Sequence, residues 1–354
     1  MPRPRGRALA VSLLVASIAV SLSLATGEWL LRRAGWGPFR ALTFGEKEPT
    51  AHEPDPELGW QMKPGEYVMP AALPGAPSTH WTILPDHSRA TRAHPVVGGT
   101  RLALVGCSFT QGWAVSDTDT FAWKLQDRFP QLDISNYGTG GYGTLQSLLM
   151  LERLFDHPNP PRLVIYGLID LHELRNVADP DWQMSQSWFA RRGEIDLPYC
   201  TIDSDGSLRR HPPEGFPHWP LREQLATVAQ LEFRYNRWRG AGRSAHARQV
   251  TEQLLLEMQR LSEHHGAALL VALLGFKHEE VKAHYVRFLR DHGVDVVDCG
   301  SPVTGDLAVP LDGHPNGRMH TRYAECIGEA MRARGWVDGA PPEHEHAAAG
   351  PPAG

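Results

Sequence analysis

Arg101-Leu-Ala-Leu-Val-Gly-Cys-Ser-Phe-Thr-Gln-Gly112 is the stretch on which the fold turns. The apolar run Leu102 to Val105 stops abruptly at Gly106-Cys107-Ser108, and a second glycine, Gly112, precedes the next helical pattern. A short continuous apolar run reads as a strand buried on both faces, and the residues after it as a tight turn into a helix. That turn presents one hydroxyl, Ser108. A serine held there is a nucleophile if a base reaches it. Without a base it is an ordinary helix cap.

Working outward, the pattern repeats. Leu132–Asn136, Arg162–Leu168, Ala267–Leu274 and Val294–Asp298 read as further strands. Apolar residues at helical spacing predict helices at 120–129, 145–155, 221–238, 246–265, 279–291 and about 317–334. Strands alternating with helices imply an α/β fold with a parallel sheet covered on both faces. His80–Ala90 alternates apolar and polar residues and reads as a short hairpin. Residues 177–220, rich in Trp, Pro and Asp, read as an irregular insertion. In it, Trp182, Trp188 and Trp219 are candidates either for a substrate wall or for a satellite core.

In open parallel sheets the site lies at the carboxyl ends of the strands. Ser108, the run Gly138-Thr-Gly-Gly-Tyr-Gly143 and Asp170 directly follow the first three strands, and Leu311-Asp-Gly-His-Pro-Asn316 follows the fifth. All these polar candidates therefore fall on one edge. In the last segment Asp312 is placed to orient His314, and His314 to take the Ser108 proton. The one-residue gap requires a sharp turn, which Gly313 permits. His320 is a rival base, but it falls within the final helix. The run 138–143 also matches the dinucleotide-binding pattern G-x-G-x-x-G, with Asp170 near the place of a ribose-binding acid. It follows the second strand rather than the first, and Asp170 is 27 residues past Gly143, somewhat far. The competing use of such glycines is to bring backbone amides close to an oxyanion. No cofactor is expected.

The N-terminus sets the topology. Arg3, Arg5 and Arg7 precede an uncharged run from Ala8 to Thr26. Nineteen helical residues there span roughly 28 Å, close to the hydrocarbon thickness of a bilayer. The positive-inside rule retains the arginines in the cytoplasm and exports the rest. An uncleaved anchor is favoured over a signal peptide cut near Ser23-Leu-Ala25, because Glu28–Arg33 continues the run as an interface-seeking segment. The expected organisation is a cytoplasmic tip (1–7), an anchor or signal (8–27), a lead-in segment (28–98), a catalytic domain (99–336) and a disordered tail (337–354). The net charge of −5 offers no basic excess for nucleic acid. Of the four cysteines, Cys107 is expected to be buried beside Ser108, and Cys200 with Cys299 is the expected disulfide, both lying in loop-like contexts. No pair has zinc spacing, and His264, His265, His344 and His346 read as solvated.

Together these blocks resemble the SGNH, or GDSL-type, hydrolase superfamily. Gly106-Cys-Ser-Phe is similar to its first block, Gly-Asp-Ser-Phe/Leu, with Ser108 as nucleophile. Asn136-Tyr-Gly-Thr-Gly-Gly is similar to the second, Asn-x-Gly-x-x-Gly, whose last glycine donates a backbone N–H to the oxyanion and maps to Gly141. Tyr166-Gly-Leu-Ile-Asp170 aligns with the third, Gly-x-Asn-Asp, and Asp312-Gly-His314 with the fifth. The resemblance covers about 100–335. It implies a three-layer α/β/α fold of the flavodoxin-like kind, with a five-stranded, mainly parallel sheet. It also implies a Ser-His-Asp ester hydrolase with Ser108 and Gly141 as oxyanion donors. Members with this topology often act on O-acyl groups of glycans, so an envelope carbohydrate ester is the implied substrate, in an enzyme facing outward from the inner membrane. Acyl transfer uses the same residues, and a non-catalytic glycan-binding module is the other reading. Two departures stand out. Cys107 replaces the aspartate, and Ile169 replaces the asparagine that donates to the oxyanion. Losing one such donor costs on the order of 10²–10³ in rate. His172, Arg175 and Asn176, with Asp170, are the nearest substitutes for that donor or for substrate contacts.

Overall fold

The computed structural model describes residues 5–39, 51–70, 78–94, 96, 98–187, 196–215 and 218–337. The expected tail from residue 338 on, Trp188, His344 and His346 lie outside them. Helix α1 (Arg5–Arg33) is followed by β1 (His52–Asp55), β2 (Gly59–Met62), β3 (Gly65–Met69) and β4 (Thr79–Ile83). Next come β5 (Thr100–Gly106), α2 (Ser108–Gln111), α3 (Phe121–Arg128), β6 (Leu132–Asn136), α4 (Thr144–Phe155) and β7 (Leu163–Ile169). The chain continues with α5 (His172–Asn176), α6 (Pro180–Ser187), β8 (Asp196–Ile202), β9 (Leu208–Gly215), α7 (Ala226–Ser244) and α8 (Ala247–His264). It closes with β10 (Ala268–Gly275), α9 (Glu279–Asp291), β11 (Val296–Asp298) and α10 (Gly317–Ala333).

The main sheet has five strands in the order β11-β10-β7-β5-β6. Every pairing is parallel. Read from β6, the sheet strands run second, first, third, fourth, fifth, the flavodoxin-like order, and the connections reverse direction between β5 and β7. Successive side chains point to opposite faces, so each strand feeds two cores. Ala103, Val105, Val164, Tyr166, Leu168, Val271 and Leu273 face the cluster built with α4, α8 and α9. Leu102, Leu104, Ile165, Ile169, Leu270 and Leu274 face the one built with α3 and α10. Full burial of such aliphatic side chains contributes about 1.5–3 kcal/mol each, which is why the strands read as continuous apolar runs.

The described residues fall into two compact units. One draws on 1–44, 179–195 and 215–242, and the other on 45–178, 196–214 and 243–354. The sheet and the candidate residues Ser108, Gly141, Asp312 and His314 belong to the second. In the first, α1 contains a stretch, Leu9–Arg33, long and apolar enough to cross a membrane. Its far end is tied to α7. No Ser, Thr, Asp or Asn stands just before Ala226 to cap that helix, and Glu28 does so instead. Its carboxylate accepts from the backbone N–H of Ala226 at 2.9 Å and of Thr227 at 2.8 Å, and from the Thr227 hydroxyl at 2.9 Å. A carboxylate at a helix start satisfies otherwise orphaned donors and suits the helix dipole. Arg32 adds a bond to Gln224 O at 2.9 Å, and the Arg222 guanidinium lies 3.9 Å from the Phe39 ring centre.

Three expectations change. The disulfide joins Cys299 to Cys326, and Cys200 is free and buried. Cys200 packs in the cluster on one face of the sheet and Cys299 in that on the other, so the sheet separates them. Cys326 lies on α10, which covers the face that holds Cys299, and the two Cα atoms are 5.7 Å apart. The hairpin expected at 80–90 shrinks to a turn closed by a single Ile83–Arg89 bridge, because β4 pairs with β3 upstream. The insertion is not wholly irregular, since β8 and β9 form a two-stranded sheet.

Candidate active site

Ser108 opens α2 directly after β5. The turn between them depends on Gly106, whose φ is +151° and where a Cβ would lie 2.3 Å from Thr110 Oγ1. Only glycine fits that combination. The short helix is closed by Gln111 N–H to Cys107 O at 2.8 Å and by Gly112 in the left-handed conformation. Its far end is held by Arg89. This fully buried guanidinium donates to Gln111 O at 3.0 Å, Gly112 O at 2.7 Å and Val115 O at 2.7 Å, and pairs with Asp117 at 2.7 Å.

The base arrives from the loop before α10. Leu311 and Gly313 both have positive φ, +65° and +80°. That folds the loop so that Gly313 N–H meets Val309 O at 2.9 Å and Val309 N–H meets His314 O at 2.8 Å. Asn316 caps α10, accepting from Arg318 and Met319 N–H. Asp312 is thereby left for His314. Its Oδ1 lies 2.5 Å from His314 Nδ1, and His314 Nε2 lies 2.9 Å from Ser108 Oγ. An ionised carboxylate only accepts, so Nδ1 carries the proton and Nε2 offers its lone pair to the serine hydroxyl. Burial pushes the Asp312 carboxyl up. The bonds and charge of His314, with a bond from the Trp113 side chain, outweigh that and hold it below its ordinary value. Trp113 and Phe109 flank His314, with ring centres 6.0 and 5.8 Å from it.

The glycine run follows β6, the neighbour of β5. Thr139 N–H donates to Gly106 O at 3.0 Å, and Tyr142 N–H to Thr139 O at 3.1 Å, enclosing Gly141 at φ +86° in a turn. Gly140 O accepts from the Trp60 indole at 3.0 Å. A Cβ on Gly138 would lie 2.4 Å from Gln111 N, so this loop and α2 are in contact. Among the described residues neither Ser108 N–H nor Gly141 N–H has a protein acceptor.

Among the described residues, the remaining candidates have their contacts with other groups than the serine hydroxyl. Ile169 is buried in the apolar cluster with Leu274 and Cys107. Asp170 accepts from Lys277 N–H at 2.9 Å. His172 Nδ1 meets the Tyr166 hydroxyl at 2.5 Å. Asn176 bonds Leu145 N–H, Thr144 and Thr251. Arg175 reaches the glycine run from behind, donating to Tyr142 O at 2.8 Å, and its side chain also bonds Cys107. His320 is fully buried and accepts from Phe121 N–H at 3.2 Å. Trp219 packs on Tyr235 at 5.6 Å. Reading the sequence missed Trp113, Trp60 and Arg89. The only signal was the presence of bulky or charged residues near the blocks, without motif spacing.

No family model matches the sequence, and no curated protein matches it. Solved structures do. One is a member of the lipolytic G-D-S-L family from Veillonella parvula, 12% identical, covering 66% of this chain and 98% of its own, with a TM-score of 0.39. Another is a putative acylhydrolase from Bacteroides fragilis, at 15% identity, 68% and 91% coverage and a TM-score of 0.37. A third is a psychrotrophic esterase from Pseudoalteromonas, at 10% identity, 68% and 99% coverage and a TM-score of 0.38.

Proposed function

We propose that the protein is a membrane-anchored serine ester hydrolase acting on O-acyl esters of envelope carbohydrate outside the cytoplasm. The observation that carries this is the unbroken relay Asp312–His314–Ser108, at 2.5 and 2.9 Å. Ser108 Oγ attacks the acyl carbonyl as His314 Nε2 takes its proton. The N–H groups of Ser108 and Gly141 receive the oxyanion. The intermediate collapses, His314 returns the proton to the leaving alcohol, and water, activated by the same imidazole, releases the acid. A non-catalytic module would leave His314 turned away from Ser108, and the 2.9 Å contact favours catalysis. A sugar acceptor in place of water makes the same cycle an acyl transfer. The Trp113 and Phe109 rings beside the base suit the apolar face of a sugar or a short acyl chain.

Retention of α1 as an anchor is supported by the Glu28 clasp. A cut after Ala25 would leave Glu28 three residues from a free end, without the preceding helix turns that hold it at Ala226.

The test is labelling with a fluorophosphonate probe and turnover of an acetylated oligosaccharide. The wild type is expected to be labelled and active. Ser108→Ala is expected to lose the adduct and roughly 10⁴-fold or more of kcat. A wild type that is neither labelled nor active on any acyl ester contradicts the proposal.

A further inference from the structure

Helix α7 is built inside out. Its buried positions are Ala226, at the capped start, then Glu232, Asn236 and Gly240, these last three spaced four apart, with Glu232 paired to the buried Arg222 at 2.9 Å. Its exposed face carries Leu231, Tyr235 and Trp238, which are 50%, 40% and 76% exposed. Those positions recur at i, i+4 and i+7 and form one stripe. Arg234 and Arg239 border it, by the same helical spacing. A helix that hides polar residues and shows a Leu-Tyr-Trp stripe is not made for water. Aromatic rings on an apolar face with arginines at its margins are the composition of a helix lying in a lipid–water interface.

Its position points to the same partner. Glu28, which caps α7, stands two residues beyond the uncharged run ending at Thr26. That is only about 3 Å further along the helix axis. The cap therefore holds the start of α7 where α1 leaves the hydrocarbon. Trp29, 57% exposed with the Arg33 guanidinium 5.4 Å from its ring centre, adds another interfacial pair at that level.

We propose that α7 lies in the surface of the bilayer that α1 spans, with Leu231, Tyr235 and Trp238 seated at the headgroup–acyl boundary and Arg234 and Arg239 against anionic headgroups. This rests on the reading of α1 as a retained anchor. The protein then touches the membrane twice, once through it and once along it.

The test uses the full chain in vesicles of phosphatidylcholine and phosphatidylglycerol, with a nitroxide at Leu231→Cys, Arg237→Cys or Val15→Cys. Arg237 lies away from the stripe on the same helix. Collisions with oxygen, which partitions into lipid, are compared with those of a water-soluble nickel chelate. The expected result is oxygen-favoured collision at 231, chelate-favoured collision at 237 and deep burial at 15, with position 231 within about 5–10 Å of the headgroup boundary. Chelate-favoured collision at 231 with 15 still buried overturns the proposal and leaves the anchor standing. Chelate access at 15 removes the anchor and this proposal with it. Spin–spin broadening at 231 that disappears on dilution with unlabelled chain shows a second copy on the stripe, and also overturns it.

Discussion

At the scale of single residues, the candidate site is more than three side chains. Trp113 helps hold ionised the aspartate that orients His314, while its ring flanks His314 itself. Trp113→Phe keeps a ring and removes the N–H. Losing a hydrogen bond to a charged group is worth roughly 1.5–3 kcal/mol, so kcat is expected to fall about 10- to 100-fold with the fold unchanged. A circular dichroism melt beside the kinetics checks this. An unaltered kcat would make Trp113 a wall and nothing more. Arg89 has a different part. It never approaches the serine, yet it ties down three carbonyls at the end of the nucleophile helix. Such residues escape a reading of the sequence because their partners lie more than twenty positions away and a guanidinium meeting carbonyls leaves no spacing behind. Ser108, Asp312 and His314 were legible for the opposite reason. A nucleophile needs a glycine turn and a base needs a carboxylate close by, and both demands show as short, unusual strings.

At the scale of elements, the disulfide closes a loop of 27 residues from the end of β11 to α10, and Asp312 and His314 lie inside it. Cross-linking a loop of that length stabilises by roughly 3–4 kcal/mol through the unfolded chain. Replacing Cys299 and Cys326 together by serine is expected to lower the melting temperature and to make the base loop the first region to exchange its amides, with probe labelling of Ser108 surviving at low temperature. Hydrogen exchange by mass spectrometry reads both. Amides around 309–314 as protected as before would show that the loop needs no staple. The main strands were legible because both faces of each are buried, leaving uninterrupted apolar runs. The small sheets β1–β2, β3–β4 and β8–β9 were not, because their burial is partial and polar residues interrupt every strand. The same principle misdirected the disulfide. Cys200 is a buried residue on a partly buried strand, β8, that resembles a loop in composition, and only the sheet's two-sidedness shows which cysteines share a face.

At the scale of the whole molecule, the buried histidines set a pH limit. Burial pushes His52 down to about 4, and burial, with the charges of Arg89, Lys124 and His314, pushes His320 down to about 3. The unfolded chain takes up these protons near pH 6.5, whereas the folded chain refuses them until far lower. Stability from these groups is therefore full above about pH 6.5 and is lost as the pH falls toward 3–4. The melting temperature is expected to drop steadily across that window, and less steeply in His320→Gln. Identical slopes would mean that His320 charges without unfolding the protein.

Ser108 and His314 are 206 positions apart. During synthesis the serine emerges early and remains an ordinary alcohol until nearly the whole chain has followed. On the proposed mechanism the hydroxyl becomes reactive only once the loop before α10 has been made and docked. A prematurely terminated chain or a fragment clipped before residue 314 would then carry no latent esterase, and labelling of Ser108 by an active-site probe is expected to count only finished molecules.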